Sequence, residues 1–398
     1  MASSSSTSSF DGTKLPGGVP WAFIGAVAIL LAVEVAVRLA PPARVIPYRG
    51  GLEEHFAIAN YLHRVGAADV GFVGSSMTRA GIAAPQVREE LEAVTGQSLY
   101  IANYGASGAT ADETSAIVHY MVRRNALPRL LMYEVSPPHF RPSTSFRLRK
   151  VAIFWGLRDW IGAWHLSPRQ RMRVMPIVVR NEIGDRYLTF RYRDRFRYLA
   201  QELLGFSRAL PAPMAGRLPR NWHQRASFAQ ASEERRERLV LRWLQGNSID
   251  PEARLNEELV ADMRRTLETA RRLKIPMVLY EMPLTATARQ TLPPHFFDDF
   301  YALMEDFSQR YGVPFIRIED LGIELTDEDF ADPSHLNRQG AMRLTQALTQ
   351  RVIIPAMAGE GSLADGGVLR LTGRVLLASV DDDEQTNIGD DTDVQDRE

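Results

Sequence analysis

Cysteine is missing altogether from these 398 residues. That removes thiolate nucleophiles, disulfides and cysteine-bound metals from consideration. It leaves the compartment open, because many exported proteins also lack cysteine. Histidine is scarce: there are eight, and no two combine metal-ligand spacing with a nearby carboxylate cluster. Gly105 and Gly108 lack the spacing and the following helix of a dinucleotide fingerprint. Pro-Pro-His-Phe occurs at 137–140 and again at 293–296, an isolated echo and not a repeat. The formal net charge is only −1, but this conceals a polarised chain. Residues 141–242 carry 22 Lys and Arg against 8 Asp and Glu, whereas 381–398 is strongly acidic.

What is present is an ordinary globular core composition, 45% hydrophobic and 24% charged. The length suits one large domain with insertions, or two smaller ones. Residues 1–20, rich in serine and glycine, read as disordered. Residues 21–40 form an apolar run interrupted by Glu34 and flanked by Trp21 and Arg38, about the length a membrane-spanning helix needs. Three readings compete: a single-pass anchor, a cleaved signal peptide, and a buried or interfacial helix. Pro41-Pro42 disfavours cleavage. Lys14 precedes the run while Arg38, Arg44 and Arg49 follow it, a bias that argues mildly for a cytoplasmic body.

A linker with a lead-in helix is expected over 41–68. Beyond it, strands are predicted at Asp69–Val73, Ser98–Ala102, Arg129–Val135, Pro276–Tyr280 and Pro314–Ile318. They alternate with helices at Pro85–Thr95, Ala111–Arg124, Glu252–Leu273, Phe296–Arg310 and Arg338–Val352. Repeated βα units with short apolar strands imply an α/β fold: a three-layer sandwich around a parallel, helix-covered sheet. Its body would comprise 69–139 and 251–354, interrupted by a basic, helical insert or lid over 140–250. The insert includes Phe190–Tyr198, where arginines alternate with aromatics. It reads as a solvated basic face or as a surface for an anionic glycan or lipid headgroups; nucleic acid is the least favoured partner. Residues 355–398 read as a mostly disordered, acidic tail.

Active sites in parallel sheets gather at the carboxyl ends of strands. There the predicted first strand runs into Gly74-Ser75-Ser76, and Asp332-Pro333-Ser334-His335 precedes the last helix. Together these supply a nucleophile (Ser76), a base (His335) and a carboxylate that orients the base (Asp332), the kit for serine acyl chemistry. Either half alone is common in turns; the pair, in this order on this pattern, is informative.

These residues resemble those of the SGNH, or GDSL-like, hydrolase superfamily across roughly 69–352, the insert excluded. Gly74-Ser75-Ser76 is similar to the first sequence block, with Ser76 as nucleophile and Ser75 replacing the usual aspartate. Asn103–Thr110 is similar to the second block, which implies that Gly108 joins Ser76 as a backbone oxyanion donor. Asp332–His335 is similar to the last. The third block departs: where the superfamily has an oxyanion-binding asparagine, this chain reads Ser136-Pro137-Pro138-His139. Ser75, Asn103 and His139 are therefore candidate substrate or oxyanion contacts. The Gly-Ser-Ser block, the anchor and the insert together resemble membrane-anchored proteins that esterify cell-envelope polymers, such as the D-alanylation protein of lipoteichoic acid synthesis and the alginate O-acetyltransferases. That resemblance implies a membrane-anchored serine esterase or O-acyltransferase, needing no cofactor. It would act on an acylated glycan at the external face beside a membrane-bound O-acyltransferase. The alternative is a catalytically quiet scaffold that binds glycan or such a partner.

Overall fold

The computed structural model describes residues 21–39, 53–140, 147–163, 166–187, 227–246, 249–250, 252 and 254–358. The segments expected to be disordered at 1–20 and over most of 355–398, and the Phe190–Tyr198 run, lie outside these. In the sheet, β1 (Val70–Gly74), β2 (Ile101–Gly105), β3 (Leu130–Val135), β4 (Met277–Glu281) and β5 (Phe315–Ile316) pair in the order β2-β1-β3-β4-β5, all parallel. Every residue of β1, β3 and β4 is buried, which requires cover on both faces. Phe72, Met132, Val278 and Tyr280 join one core cluster with Leu91, Phe330 and Leu344. Tyr133 points its hydroxyl the other way, 3.3 Å from the Ala111 carbonyl of α5 (Ala111–Arg124). The α/β class with a helix-covered parallel sheet, expected from alternating apolar runs, is the one observed.

Helix ends follow from local chemistry. Asn256 caps α10 (Glu257–Leu273) by accepting from the Leu259 amide at 3.1 Å, so this helix begins five residues after the expected Glu252. Asn337 caps α13 (Arg338–Leu348) in the same way, through Gly340. The second strand sits three residues later than expected. Its register with β1, Val70 to Ile101 through Gly74 to Gly105, is set by tertiary pairing and not by the apolar Leu99.

The chain divides into two compact units. One holds α1 (Trp21–Leu39), α7 (Leu157–Gly162) and α8 (Pro168–Arg186). The other holds the sheet with α2 (Glu53–Val65), α3 (Ser76–Gly81), α4 (Ala84–Thr95), α5, α6 (Arg147–Ala152), α9 (Glu233–Gly246), α10, α11 (Ala286–Thr291), α12 (His295–Tyr311) and α13. The expected 140–250 insert is thus divided. Phe228, Val240 and Leu244 are buried in the sheet unit's core, and the Phe228 amide donates to the Phe330 carbonyl at 2.8 Å.

Among the described residues, no helix is long and apolar enough to cross a membrane. In α1, side chains are described for Phe23–Ala36 and Leu39. The span expected over 21–40 is therefore a matter for proposal.

Candidate active site

The strand order 2-1-3-4-5 reverses direction between β1 and β3, and this reversal opens a crevice at the carboxyl ends of the two strands. Ser76 stands at the end of β1 as the first residue of α3. The turn that carries it is shaped by Ser75, whose extended backbone (φ −88°, ψ −165°) and side chain cap the helix by accepting from the Met77 amide at 3.0 Å. The Arg79 amide closes back on the Ser75 carbonyl at 3.1 Å.

His335 arrives on a loop held at several points. Phe330 and Leu336 form an antiparallel bridge, the Ala331 amide donates to the His335 carbonyl at 2.8 Å, and the Thr285 amide donates to the Pro333 carbonyl at 3.2 Å. The buried Leu336 pins the loop to the core. In this setting His335 Nε2 lies 2.8 Å from Ser76 Oγ, although the two residues are 259 positions apart in sequence. On the ring's other side, Nδ1 lies 2.8 and 2.9 Å from the two Asp332 oxygens. Asp332 Oδ1 also accepts from the Ser334 and His335 amides. Burial pushes the Asp332 carboxyl up, but the His335 hydrogen bond and charge and these two amides outweigh it, holding the group below its ordinary range. Hydroxyl, imidazole and carboxylate thus form one continuous relay. Ser76 and His335 are part-exposed, so a substrate can reach them.

The amide of Ser76 has no hydrogen-bond partner among the described residues, and neither has that of Gly108. Gly108 is exposed and left-handed, φ +62°, in the turn after β2. That turn is fastened on both sides. Lys150 Nζ of α6 donates to the Ser107 carbonyl at 2.8 Å and the Gly108 carbonyl at 3.3 Å, and lies 3.5 Å from Glu113. The Ser107 amide donates to Glu54 Oε2 at 2.8 Å, and Glu54 pairs with Arg79 of α3.

The remaining candidates are engaged elsewhere. The Asn103 side-chain amide donates to the Thr78 and Ile82 carbonyls at 3.0 and 3.1 Å, and its Oδ1 accepts from the Gly105 amide. It ties α3 to β2. The Ser75 hydroxyl is buried and donates to Glu134 Oε1 at 2.7 Å. His139, on a 3-10 turn at Pro137–Phe140, is buried with Nε2 3.1 Å from Glu134, an ion-pair approach without hydrogen-bond alignment. The side chains of Ser75 and His139 thus face Glu134, and that of Asn103 faces the backbone of α3 and β2.

Glu134 is the residue that motif reading passed over. Fully buried on β3, it accepts from the Ser75 amide at 2.6 Å, the Ser75 hydroxyl, the Thr78 amide at 3.1 Å and the Thr78 hydroxyl. Burial pushes this carboxyl up as well, but the charge of His139 and the hydrogen bonds from Thr78 and Ser75 prevail and keep it below its ordinary range. A Cβ on Gly74 would collide with this carboxylate, and one on Gly105 would fall 2.5 Å from the Arg79 backbone nitrogen. Glycine is required at both positions, which face each other in the sheet register. The sequence signal for Glu134 was a lone charge in an otherwise apolar strand.

No protein-family model matches the chain, and no curated protein matches it. Among solved structures it is similar to a lipase/acylhydrolase from Enterococcus faecalis, at 11% identity over 71% of this chain and 94% of that one, with a TM-score of 0.35. It is also similar to LAE5, an α/β hydrolase enzyme from the metagenome of Lake Arreo, Spain, at 13% identity over 75% and 98% of the respective chains, TM-score 0.31. Similarities this loose carry no argument. The fold rests on the strand order itself, and the site on its own distances.

Proposed function

We propose that this protein is a membrane-anchored serine acyl-ester hydrolase or O-acyltransferase of SGNH type, acting on acyl esters of a cell-envelope or exported polysaccharide. The relay from Ser76 through His335 to Asp332 is the observation that carries the reading. Ser76 Oγ attacks the ester carbonyl while His335 Nε2 takes its proton. The amides of Ser76 and Gly108 receive the developing oxyanion. As the tetrahedral intermediate collapses, the ester C–O bond breaks and His335 returns the proton to the departing alkoxide, leaving an acyl-Ser76 ester. Water or a sugar hydroxyl, deprotonated in turn by His335, then releases the acyl group. Asp332 keeps the ring in the reactive tautomer and steadies its charged form.

With His139 held by Glu134, the intermediate lacks one side-chain donor, a deficit of about 3 kcal/mol in comparable sites. That deficit slows acylation and deacylation alike, whether water or a glycan hydroxyl presented beside a membrane-bound O-acyltransferase partner takes the acyl group. The anchor is supported by α1: its apolar side chains are turned outward, Ile29 at 66% and Leu30 at 61% exposed, while Glu34 is buried. That is the inverse of a helix built for water. The external face follows from the class of substrate.

The test is turnover. Wild-type protein given p-nitrophenyl acetate should release a burst of p-nitrophenol and form acetyl-Ser76, with transfer to polysaccharide raising the steady rate. Ser76→Ala should show neither. Glycan binding unchanged in Ser76→Ala, with no ester turned over by the wild type, would instead identify a catalytically quiet scaffold.

A further inference from the structure

Helix α8 has two apolar faces. Val174 and Val178 are buried on one. On the other, Met172, Pro176, Val179 and Ile183, with Tyr187 at the helix end, recur every three or four residues, which places them in a single stripe. The whole stripe is exposed: Met172 by 59%, Val179 by 42%, Ile183 by 38% and Tyr187 by 56%, with Pro176 exposed as well. Arg169 and Arg173, both exposed, border it at the same spacing. A soluble surface rarely carries a continuous apolar stripe of this length.

We propose that this stripe lies on an anionic phospholipid bilayer, with α8 parallel to the surface. Three observations commit it to that occupant. The arginines bordering the stripe complement anionic headgroups, and they sit beside an outward apolar face that can enter the headgroup layer. Pro176, inside the helix, cannot donate to the Met172 carbonyl, which must find another donor; headgroup-level water supplies one, and the hydrocarbon core does not. Lastly, the compact unit that holds α8 also holds α1, whose apolar side chains are likewise turned outward. The proposal concerns a different surface from the Ser76 site and is independent of whether that site turns over esters.

The absence of native cysteine makes the test clean. Full-length Val179→Cys and Ile183→Cys proteins are labelled with an environment-sensitive fluorophore and mixed with vesicles of phosphatidylglycerol and phosphatidylcholine, or of phosphatidylcholine alone. On the anionic vesicles the emission should shift to the blue and be quenched by bilayer-embedded nitroxide, and high salt should reverse both effects. Adding Arg169→Glu and Arg173→Glu should abolish the shift. Labels that stay aqueous on anionic vesicles, that shift equally on neutral ones, or that are already shifted without lipid would each overturn the proposal. The salt response of the singly labelled proteins decides the matter even if the charge-reversed variants fold poorly.

Discussion

At the scale of single residues, the proposed reaction depends on a hydroxyl that is inert until a base removes its proton. In that reaction His335 is the base, its ring held from behind by Asp332 at 2.8 Å. Asp332→Asn preserves an oxygen for the Ser334 and His335 amides but presents an N–H to Nδ1, favouring the wrong tautomer. Ester turnover should fall by about 10⁴-fold with the fold intact by circular dichroism; a fall of less than tenfold would remove Asp332 from the relay. The same carboxyl bears on stability. Because its native-state affinity for protons is lowered, its contribution is present above its unfolded-state pKa and is lost as pH falls through the native one. Chemical denaturation of Asp332→Asn across acidic pH should therefore show a shallower acid limb than the wild type.

At the scale of elements, the turn from β1 into α3 is organised by a neighbouring strand. Glu134 accepts four hydrogen bonds from Ser75 and Thr78, so Glu134→Gln would set an amide N–H against a donor. Urea denaturation should show a loss of about 3 kcal/mol, and turnover should fall about 100-fold as the nucleophile is displaced. Gly74→Ala, which drives a methyl group into the same carboxylate, should be at least as harmful. A melt within a degree of wild type for either variant would contradict this role.

This is also where sequence reading reaches its boundary. Helices α5, α10 and α13 were legible from periodicity, though not the Asn256 cap that starts α10, and the grouping of Ser76, Asp332 and His335 from turn chemistry at strand and helix ends. The purpose of Glu134 was not, because its partner Ser75 lies 59 residues earlier and only the β1–β3 pairing brings them together. Lys150 was read as one cation of a basic insert, whereas it fastens the Ser107–Gly108 turn. Composition cannot distinguish a solvated cation from a buried one.

At the scale of the molecule, His55 of α2 links pH to stability. It is fully buried, with Nε2 3.2 Å from Glu113 and Nδ1 without a partner among the described residues, an arrangement that suits a neutral ring donating to the carboxylate. Burial, reinforced by the charge of Lys150 and opposed by Glu54, holds its pKa down to about 3, against 6.5 for the free side chain. The unfolded chain takes up this proton first. Stability should therefore be complete above 6.5 and decline as pH falls from there towards 3. His55→Gln, which keeps a donor for Glu113, should flatten the upper part of that decline in thermal melts recorded against pH. An unchanged slope would show that the ring is protonated in the native state.

The central claim, that a serine and a histidine 259 residues apart form one activated nucleophile, has a direct measurement. Full-length protein is treated with a fluorophosphonate, and the adduct is mapped by peptide mass spectrometry. The account predicts one adduct per chain, on Ser76, and none in His335→Ala. An adduct on another serine, or labelling of Ser76 that persists at the wild-type rate in His335→Ala, would contradict it.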